Sequence, residues 1–424
     1  MLLARFIKNR DGGVAPFLAL AMLPLMGFMG AAIDYSRANA ARTAMLSALD
    51  ATALTLSKTA QGMNGTQLSS KASEIFNALY NRPEVINASI GTEFLNPQEG
   101  SFVLRLTGSG SVNTVFSKLL GQAQISFTAK SEVLWGIKKL NLALALDNTG
   151  SMQSNGKMSA LKTAAHNLLT TLQTAEKTPG DIKVSIVPFA VDVNVGSNNV
   201  DASWIDWTDW EAANGTCSKS WYTSKNSCQS NYGIWTPKSH STWNGCVNDR
   251  DQNNDVMNTP TGSGSSTKYR AHQANNCPTA MMPLSYTWSA LHSKIDAMTP
   301  TGNTNVTIGM QLAWQSLSDN APFQAPSPAP DLDKVIILLT DGQNTQNRWS
   351  SSTSTIDART QKVCDNAKAA NIRIYTVRVI DGNATLLKNC ATNPDMYFDV
   401  DNADELNGVF SSIAQNLANL RIAK

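Results

Sequence analysis

Two loops hold the residues best suited to chemistry. Asp147-Asn-Thr149-Gly-Ser151 follows the apolar run Leu142–Leu146, and Thr340-Asp341-Gly342 follows Val335–Leu339. A carboxylate and two hydroxyls set two residues apart in an extended turn project to one side. A second carboxylate at the same sheet edge completes a hard-oxygen set suited to Mg²⁺ or a similar ion. The hydroxyl-rich stretch Thr304-Asn-Val-Thr307-Ile-Gly309 lies between the two loops and opens a helix. Two carboxylates only neutralise a divalent ion, which leaves room for an anionic ligand.

The elements that must hold these loops are legible from Lys138 onward as strand–helix alternation. Strands are expected at 142–146, 182–187, 335–339 and 372–379, with a short one near Tyr397-Phe398. Helices are expected at about 157–173, 286–298, 306–318, 355–370 and 402–420. Apolar strands alternating with helices predict an α/β domain with a mostly parallel sheet covered on both faces. Ligands in such sheets bind beyond the carboxyl ends of the strands, where both loops lie.

Upstream, residues 34–60 read as a helix, Gln61–Gly65 as a break, and Thr66 to about Tyr80 as a second helix. From Val85 the apolar period changes to two, at Ile86, Ala88 and Ile90, then Phe102, Leu104 and Leu106, then Ile125, Phe127 and Ala129. Val115–Leu120 reads as a short helix ended by Gly121. Residues 34–135 therefore form a small helical and α+β stalk domain, with no reactive constellation.

Val14–Ile33 contains no charged or polar side chain. At ~1.5 Å per residue it spans ~30 Å, the thickness of a bilayer core. Arg5, Lys8 and Arg10 precede it against one Asp11, whereas Asp34, Arg37, Arg42 and Asp50 after it balance. The bias predicts a single-pass membrane protein with cytoplasmic residues 1–13, a span at 14–33, and the bulk of the chain on the outer side. Gly30 and Ala32 would suit a cleaved signal peptide. The run, however, exceeds the ~7–15-residue core of such peptides and continues into a helix without a turn, so it reads as a retained anchor. No Glu follows Gly12-Gly13 at the spacing of a prepilin cleavage site.

The two loops also carry a family resemblance. The region 136–424 resembles a von Willebrand factor A domain, a Rossmann-like fold, and its loops resemble the metal-ion-dependent adhesion site. Asp147, Thr149 and Ser151 fall on the Asp-x-Ser/Thr-x-Ser motif, Thr304 on the separate threonine and Asp341 on the second aspartate. Thr149 replaces the commoner serine but keeps the hydroxyl. Thr304 stands five residues before Gly309, further than in many such domains, so Thr307 is a rival for its role. The resemblance implies a bound divalent cation (Mg²⁺, or another such as Ca²⁺ or Mn²⁺) with one coordination position open to a ligand's carboxylate. Nearly the whole chain is similar to TadG-like proteins of Flp (Tad) pilus assembly, through Asn9–Val14, Trp243–Arg250, Met282–Leu284, Thr304–Trp314 and Leu386–Cys390. That similarity implies a bacterial inner-membrane anchor with the bulk of the chain periplasmic or extracellular, and pilus-assembly or envelope partners, with adhesion outside pili or purely structural anchoring as the other readings.

Six cysteines, none in Cys-x-x-Cys, lie on the expected outer side of the membrane, which favours disulfides over zinc. Cys364 and Cys390 flank one strand and are expected to pair. Cys217, Cys228, Cys246 and Cys277 allow three pairings. These four lie in an insert at 190–283, which holds six tryptophans. Two readings stand for them: the core of a small disulfide-stapled lobe, or a binding surface beside the metal. Asp249-Arg-Asp251-Gln-Asn253-Asn-Asp255 has the oxygen spacing of a calcium loop's first half but lacks its glycine and glutamate, and reads as a solvated turn.

Composition narrows the function. Charged residues make up only 16% of 424, with a net charge of +2, so no global field favours nucleic acid. No Gly-x-Ser-x-Gly, His-Glu-x-x-His or P-loop pattern is present, and His166 sits on a helix expected to face away from the metal loops, so the chain reads as non-enzymatic.

Overall fold

The computed structural model describes residues 14–59, 63, 65–98, 101–136, 138–262, 264–329 and 331–420. Residues 1–13, with the basic cluster from which a cytoplasmic N-terminus is expected, and the break residues Gln61, Gly62 and Asn64 lie outside the described residues. The chain divides into two compact units, Met1–Gly136 and Ile137–Ala423.

In the first unit, helix α1 (Val14–Thr59) runs without interruption through Pro24. Helix α2 (Gly65–Leu79) follows, then an antiparallel meander of β1 (Val85–Gln98), β2 (Ser101–Asn113) and β3 (Gln124–Gly136). Leu68, Ala72 and Phe76 form a buried stripe at helical spacing. They pack with Met45, Leu49 and Leu56 of α1 and with Leu104, Leu106 and Phe127 of the sheet. Gly108 permits this approach, because a Cβ there would lie 2.7 Å from the Met45 sulfur.

The second unit is built on β4 (Lys139–Asp147), α3 (Lys157–Ala175) and β5 (Ile182–Phe189). Short elements follow: β6 (Val193–Asn194), β7 (Ile205–Asp206), α4 (Thr208–Ala213), β8 (Gly215–Cys217), α5 (Lys225–Ser230), β9 (Trp235–Pro237), β10 (Cys246–Asn248) and β11 (Tyr269–Ala271). Then come β12 (Met282–Ser285), α6 (Trp288–Asp296), α7 (Val306–Ser316), β13 (Leu332–Thr340) and α8 (Thr353–Ala369). The unit closes with β14 (Arg373–Val379), α9 (Ala384–Cys390), β15 (Tyr397–Val400) and α10 (Leu406–Leu420). Strands β15, β14, β13, β4 and β5 lie side by side and parallel, as the alternation predicts.

Both faces of that sheet are covered, and β4 shows how. Leu140, Leu142, Leu144 and Leu146 enter the core shared with α3, α6 and α10. Ala143 and Ala145 face α7 and α8 on the opposite side. The small residues let α7 sit close, and Gly309 on α7 abuts Phe189: a Cβ there would lie 2.5 Å from the ring.

The insert departs from a self-contained lobe. Its strands β6, β10, β11 and β7 continue the main sheet beyond β5. Trp210, Trp243 and Tyr269 join the core that contains Met310 and Trp314. Among the described residues of the insert, only the β8–β9 pair forms a separate sheet. The tryptophans act mainly as core: Trp207 packs edge-on against Trp210 and Trp243 and stacks on His240 at 3.8 Å. Trp221 is the exposed exception. Three disulfides form, Cys217–Cys228, Cys246–Cys277 and Cys364–Cys390. The last joins α8 to α9, a helix too short to announce itself by periodicity.

Candidate metal site

Parallel pairing of β4 and β13 in register, Leu146 beside Leu339, brings Asp147 and Asp341 to adjacent strand ends. Backbone hydrogen bonds then fix the loops around them. Gly150 N–H donates to Gly302 O at 2.9 Å and Thr301 N–H to Asn148 O at 2.7 Å, which binds the first loop to the segment before α7. Thr345 N–H donates to Thr304 O at 2.9 Å, and Thr304 N–H donates to Thr345 Oγ1 at 2.9 Å, which ties that segment to the loop after β13.

The oxygens form a continuous run. Thr149 Oγ1 donates to Asp147 Oδ1 at 2.6 Å and lies 2.9 Å from Ser151 Oγ; Ser151 Oγ donates to Asp341 Oδ1 at 2.6 Å. Thr304 Oγ1 borders the same space, 3.4 Å from where a Gly342 side chain would begin, with Ser151 Oγ at 3.6 Å. Thr307 does not reach this cluster; its hydroxyl is held by Thr360 Oγ1 at 2.9 Å on α8. The structure thus separates the two threonines that spacing alone leaves as rivals.

Electrostatics inside the cluster are tight. Asp147, Thr149, Thr304 and Asp341 are buried, whereas Ser151 is exposed, so the cluster opens to solvent at Ser151. Burial, and then repulsion from Asp341, push the Asp147 carboxyl up to about 6. Its Oδ2 accepts from Thr340 Oγ1 at 2.7 Å. Asp341 Oδ2 accepts from the buried Lys157 ammonium at 2.7 Å. Lys157 and Thr340 carry no motif signal beyond their positions beside the two loops.

The donor set suits a hard divalent cation. It contains only carboxylate and hydroxyl oxygens, the ligands hard divalent cations take. Neighbouring oxygens lie 2.6–2.9 Å apart along the run, near the edge of about 3.0 Å in an octahedron with ~2.1 Å metal–oxygen bonds. Glycine at 342 leaves the floor of the cluster free of a side chain.

Other charged groups in the second unit have different partners. His166 faces His292 Nδ1 at 2.5 Å and Asp296 at 2.8 Å, not the oxygen cluster. The 249–255 segment is no solvated turn. Asp255 is buried in an ion pair with Arg359, Asp251 pairs with Arg270 and Arg348, and Asp249 accepts from Asn305 Nδ2 at 2.9 Å. The arginines satisfy carboxylates that a calcium loop would leave for the ion. Among the described residues no group of three or more His, Cys, Asp or Glu side chains is arranged to hold a metal.

This sheet, with an oxygen cluster at its carboxyl edge, is the fold of a von Willebrand factor type A domain, whose family model matches residues 250–412. The match includes Thr304 and Asp341, while β4 and its Asp147 loop lie before it. A second family model, Flp pilus-assembly TadE/G-like, matches residues 12–55, so the chain combines a TadE/G-like N-terminal helix with a von Willebrand factor type A domain.

Similar solved structures include the pilus adhesin SpaC from Lactobacillus rhamnosus GG, 13% identical with a TM-score of 0.39 over 80% of this chain and 35% of that one. The vWF domain of the type V pili tip protein Mfa5 from Porphyromonas gingivalis is 11% identical, with a TM-score of 0.39 over 68% of this chain and 97% of that one. Proximal thread matrix protein 1 from the mussel byssus, with a zinc occupied MIDAS motif, is 12% identical, with a TM-score of 0.37 over 67% and 49%. The chain spans about a third of the length of SpaC. No curated protein matches the chain.

Proposed function

We propose that this chain is a membrane-anchored bacterial envelope protein of the Tad/Flp pilus-assembly type, whose A domain binds an acidic group on a protein partner through a divalent cation. The observation that carries this reading is the unbroken oxygen run from Asp147 to Asp341, open at Ser151. Asp147, Thr149, Ser151, Thr304 and Asp341 would hold the ion. Bound there, a Mg²⁺-like ion supplies a positive point to which a carboxylate can attach. The chain's own part is to hold both aspartates converging, with three hydroxyls turned into the same space.

The anchor reading rests on α1, which is long and apolar enough to cross a membrane and carries the TadE/G-like match. A cytoplasmic N-terminus with the bulk of the chain outside suits three disulfides and paired cysteines throughout. The cluster reads as a binding site, its bonded partners being aspartates, hydroxyls and one lysine.

The insert borders the site. A cleft of about 270 Å³ is lined by His272, Asn275 and Asn276 of the insert together with Gly302, Asn303 and Gln346. It meets the first loop through Gly302, whose carbonyl accepts from Gly150 N–H at 2.9 Å, and offers a partner a neighbouring recess.

A second reading, that the metal serves stability alone in a structural anchor of the pilus machinery, draws on the internal satisfaction of both carboxylates by Thr149, Thr340, Ser151 and Lys157. A pull-down from native envelope with and without chelator separates the two. Partners lost on chelation, and lost with Asp147→Ala and Asp341→Ala, support metal-dependent capture. Partners retained in every case, with only the melting temperature lowered by chelation, support the structural reading.

A further inference from the structure

The membrane-anchor reading has a structural companion in the loop between β2 and β3. This loop, Val115–Gly121, is bound to α1 where the apolar run ends. The Asp34 carboxylate accepts backbone N–H groups from Val115 at 3.0 Å, Phe116 at 2.9 Å and Ser117 at 2.7 Å. Phe116 lies directly on Gly30, so that any Cβ at Gly30 would overlap its side chain.

Gly30 is one helical turn before Asp34, which places Phe116 ~5 Å inside the end of the Val14–Ile33 run. The loop is also rigid. A one-turn 3₁₀ helix, Ser117–Leu120, is closed by Gly121 at φ 88°. Gln122 N–H donates to Ser117 O at 3.0 Å and Thr114 N–H to Ala123 O at 3.1 Å.

On this scaffold stand four large apolar side chains facing solvent. Leu119 is 87% exposed, Leu120 71%, Val115 59% and Phe116 43%. Lys118 stands among them, also exposed. The neighbouring α1 residues Phe28, Met29, Ile33 and Tyr35 are exposed too. Apolar surface of this kind is unfavourable in water. Here it is continuous with the helix surface that the anchor reading places in lipid. Leucines and a phenylalanine around a lysine, beside an exposed tyrosine at the end of a span, are what a bilayer interface accepts.

We infer that Val115–Leu120 dips into the interfacial layer of the membrane crossed by α1, with Lys118 reaching the lipid phosphates. The span then ends in a second, rigid contact, which fixes the stalk unit against the membrane surface. Its occupant is lipid, and it rests on the anchor reading.

All six cysteines are paired in disulfides, so one introduced thiol can be labelled selectively. The full chain carrying Leu119→Cys, labelled with an environment-sensitive fluorophore, is reconstituted in phosphatidylethanolamine–phosphatidylglycerol vesicles. Met22→Cys in the span and Asn77→Cys on the exposed side of α2 are the reference positions. The expected result is blue-shifted emission at Leu119 with loss of emission to nitroxide-bearing lipid, resembling Met22 and unlike the iodide-quenched Asn77. A Leu119 label quenched by iodide alone, with Met22 still lipid-quenched, overturns the inference and leaves the anchor standing. A Met22 label that lipid does not quench overturns the anchor reading, and the inference with it.

Discussion

Lys157 and Asp341 meet as a buried ion pair at 2.7 Å, and the ammonium stands where it competes with a divalent ion for Asp341. Replacing Lys157 with Met leaves a buried carboxylate uncompensated, which costs about 3 kcal/mol of metal-free stability. The same change raises Mg²⁺ affinity by roughly tenfold, since one opposing charge is removed at contact distance. Thermal unfolding in chelator and calorimetric titration check the two effects separately.

Asp249 gives a pH signature outside the metal cluster. Burial pushes its carboxyl up to about 6 against the Arg348 backbone N–H and the Asn305 amide, which pull it down. The folded form therefore holds a proton that the unfolded chain releases near pH 4. Its contribution to stability is present below about pH 4 and lost as pH rises through about 6. The stability advantage of wild type over Asp249→Asn should fall by a few kcal/mol between pH 4 and 7, measured by denaturant unfolding in chelator. Carboxylates held low by partners, such as Asp399 beside Arg378, run the opposite way in both proteins and cancel in the comparison.

At the scale of elements, strands and helices were readable because their apolar periods are pure: leucines and alanines alternate along β4 between two cores. The motif oxygens were readable for the same reason, since strand ends set their place. What the sequence withheld depends on long-range pairing. Lys157 gives no sign in its own segment that it reaches Asp341 across 184 residues. The insert's two- and three-residue strands are too short for any period, so their extension of the main sheet emerges only from their partners. Its aspartates read as solvated because the arginines that bury them come from elsewhere in the chain. Gly309 makes the packing of α7 testable. Gly309→Ala drives a Cβ into the fully buried Phe189 ring and should cost about 1–3 kcal/mol, read as a lowered melting temperature with the fold retained.

For the whole molecule, the uncharged stretch lies in the apolar α1 run, which suits lipid, while the Asn/Ser/Thr-rich insert carries two disulfides, which suit an oxidising exterior. The disulfide Cys364–Cys390 closes a loop with a sequence separation of 26. Reducing it by Cys364→Ser with Cys390→Ser should lower stability by about 2–4 kcal/mol, measured by urea unfolding. The fold and the metal-loop positions leave one central claim, that these oxygens bind a divalent ion. Calorimetric titration of Mg²⁺ into the chelator-stripped full chain tests it most directly. The expected result is a single saturable site that Asp147→Ala or Asp341→Ala abolishes. Absence of binding by Mg²⁺, Mn²⁺ and Ca²⁺ alike, or binding unchanged in both variants, would contradict it.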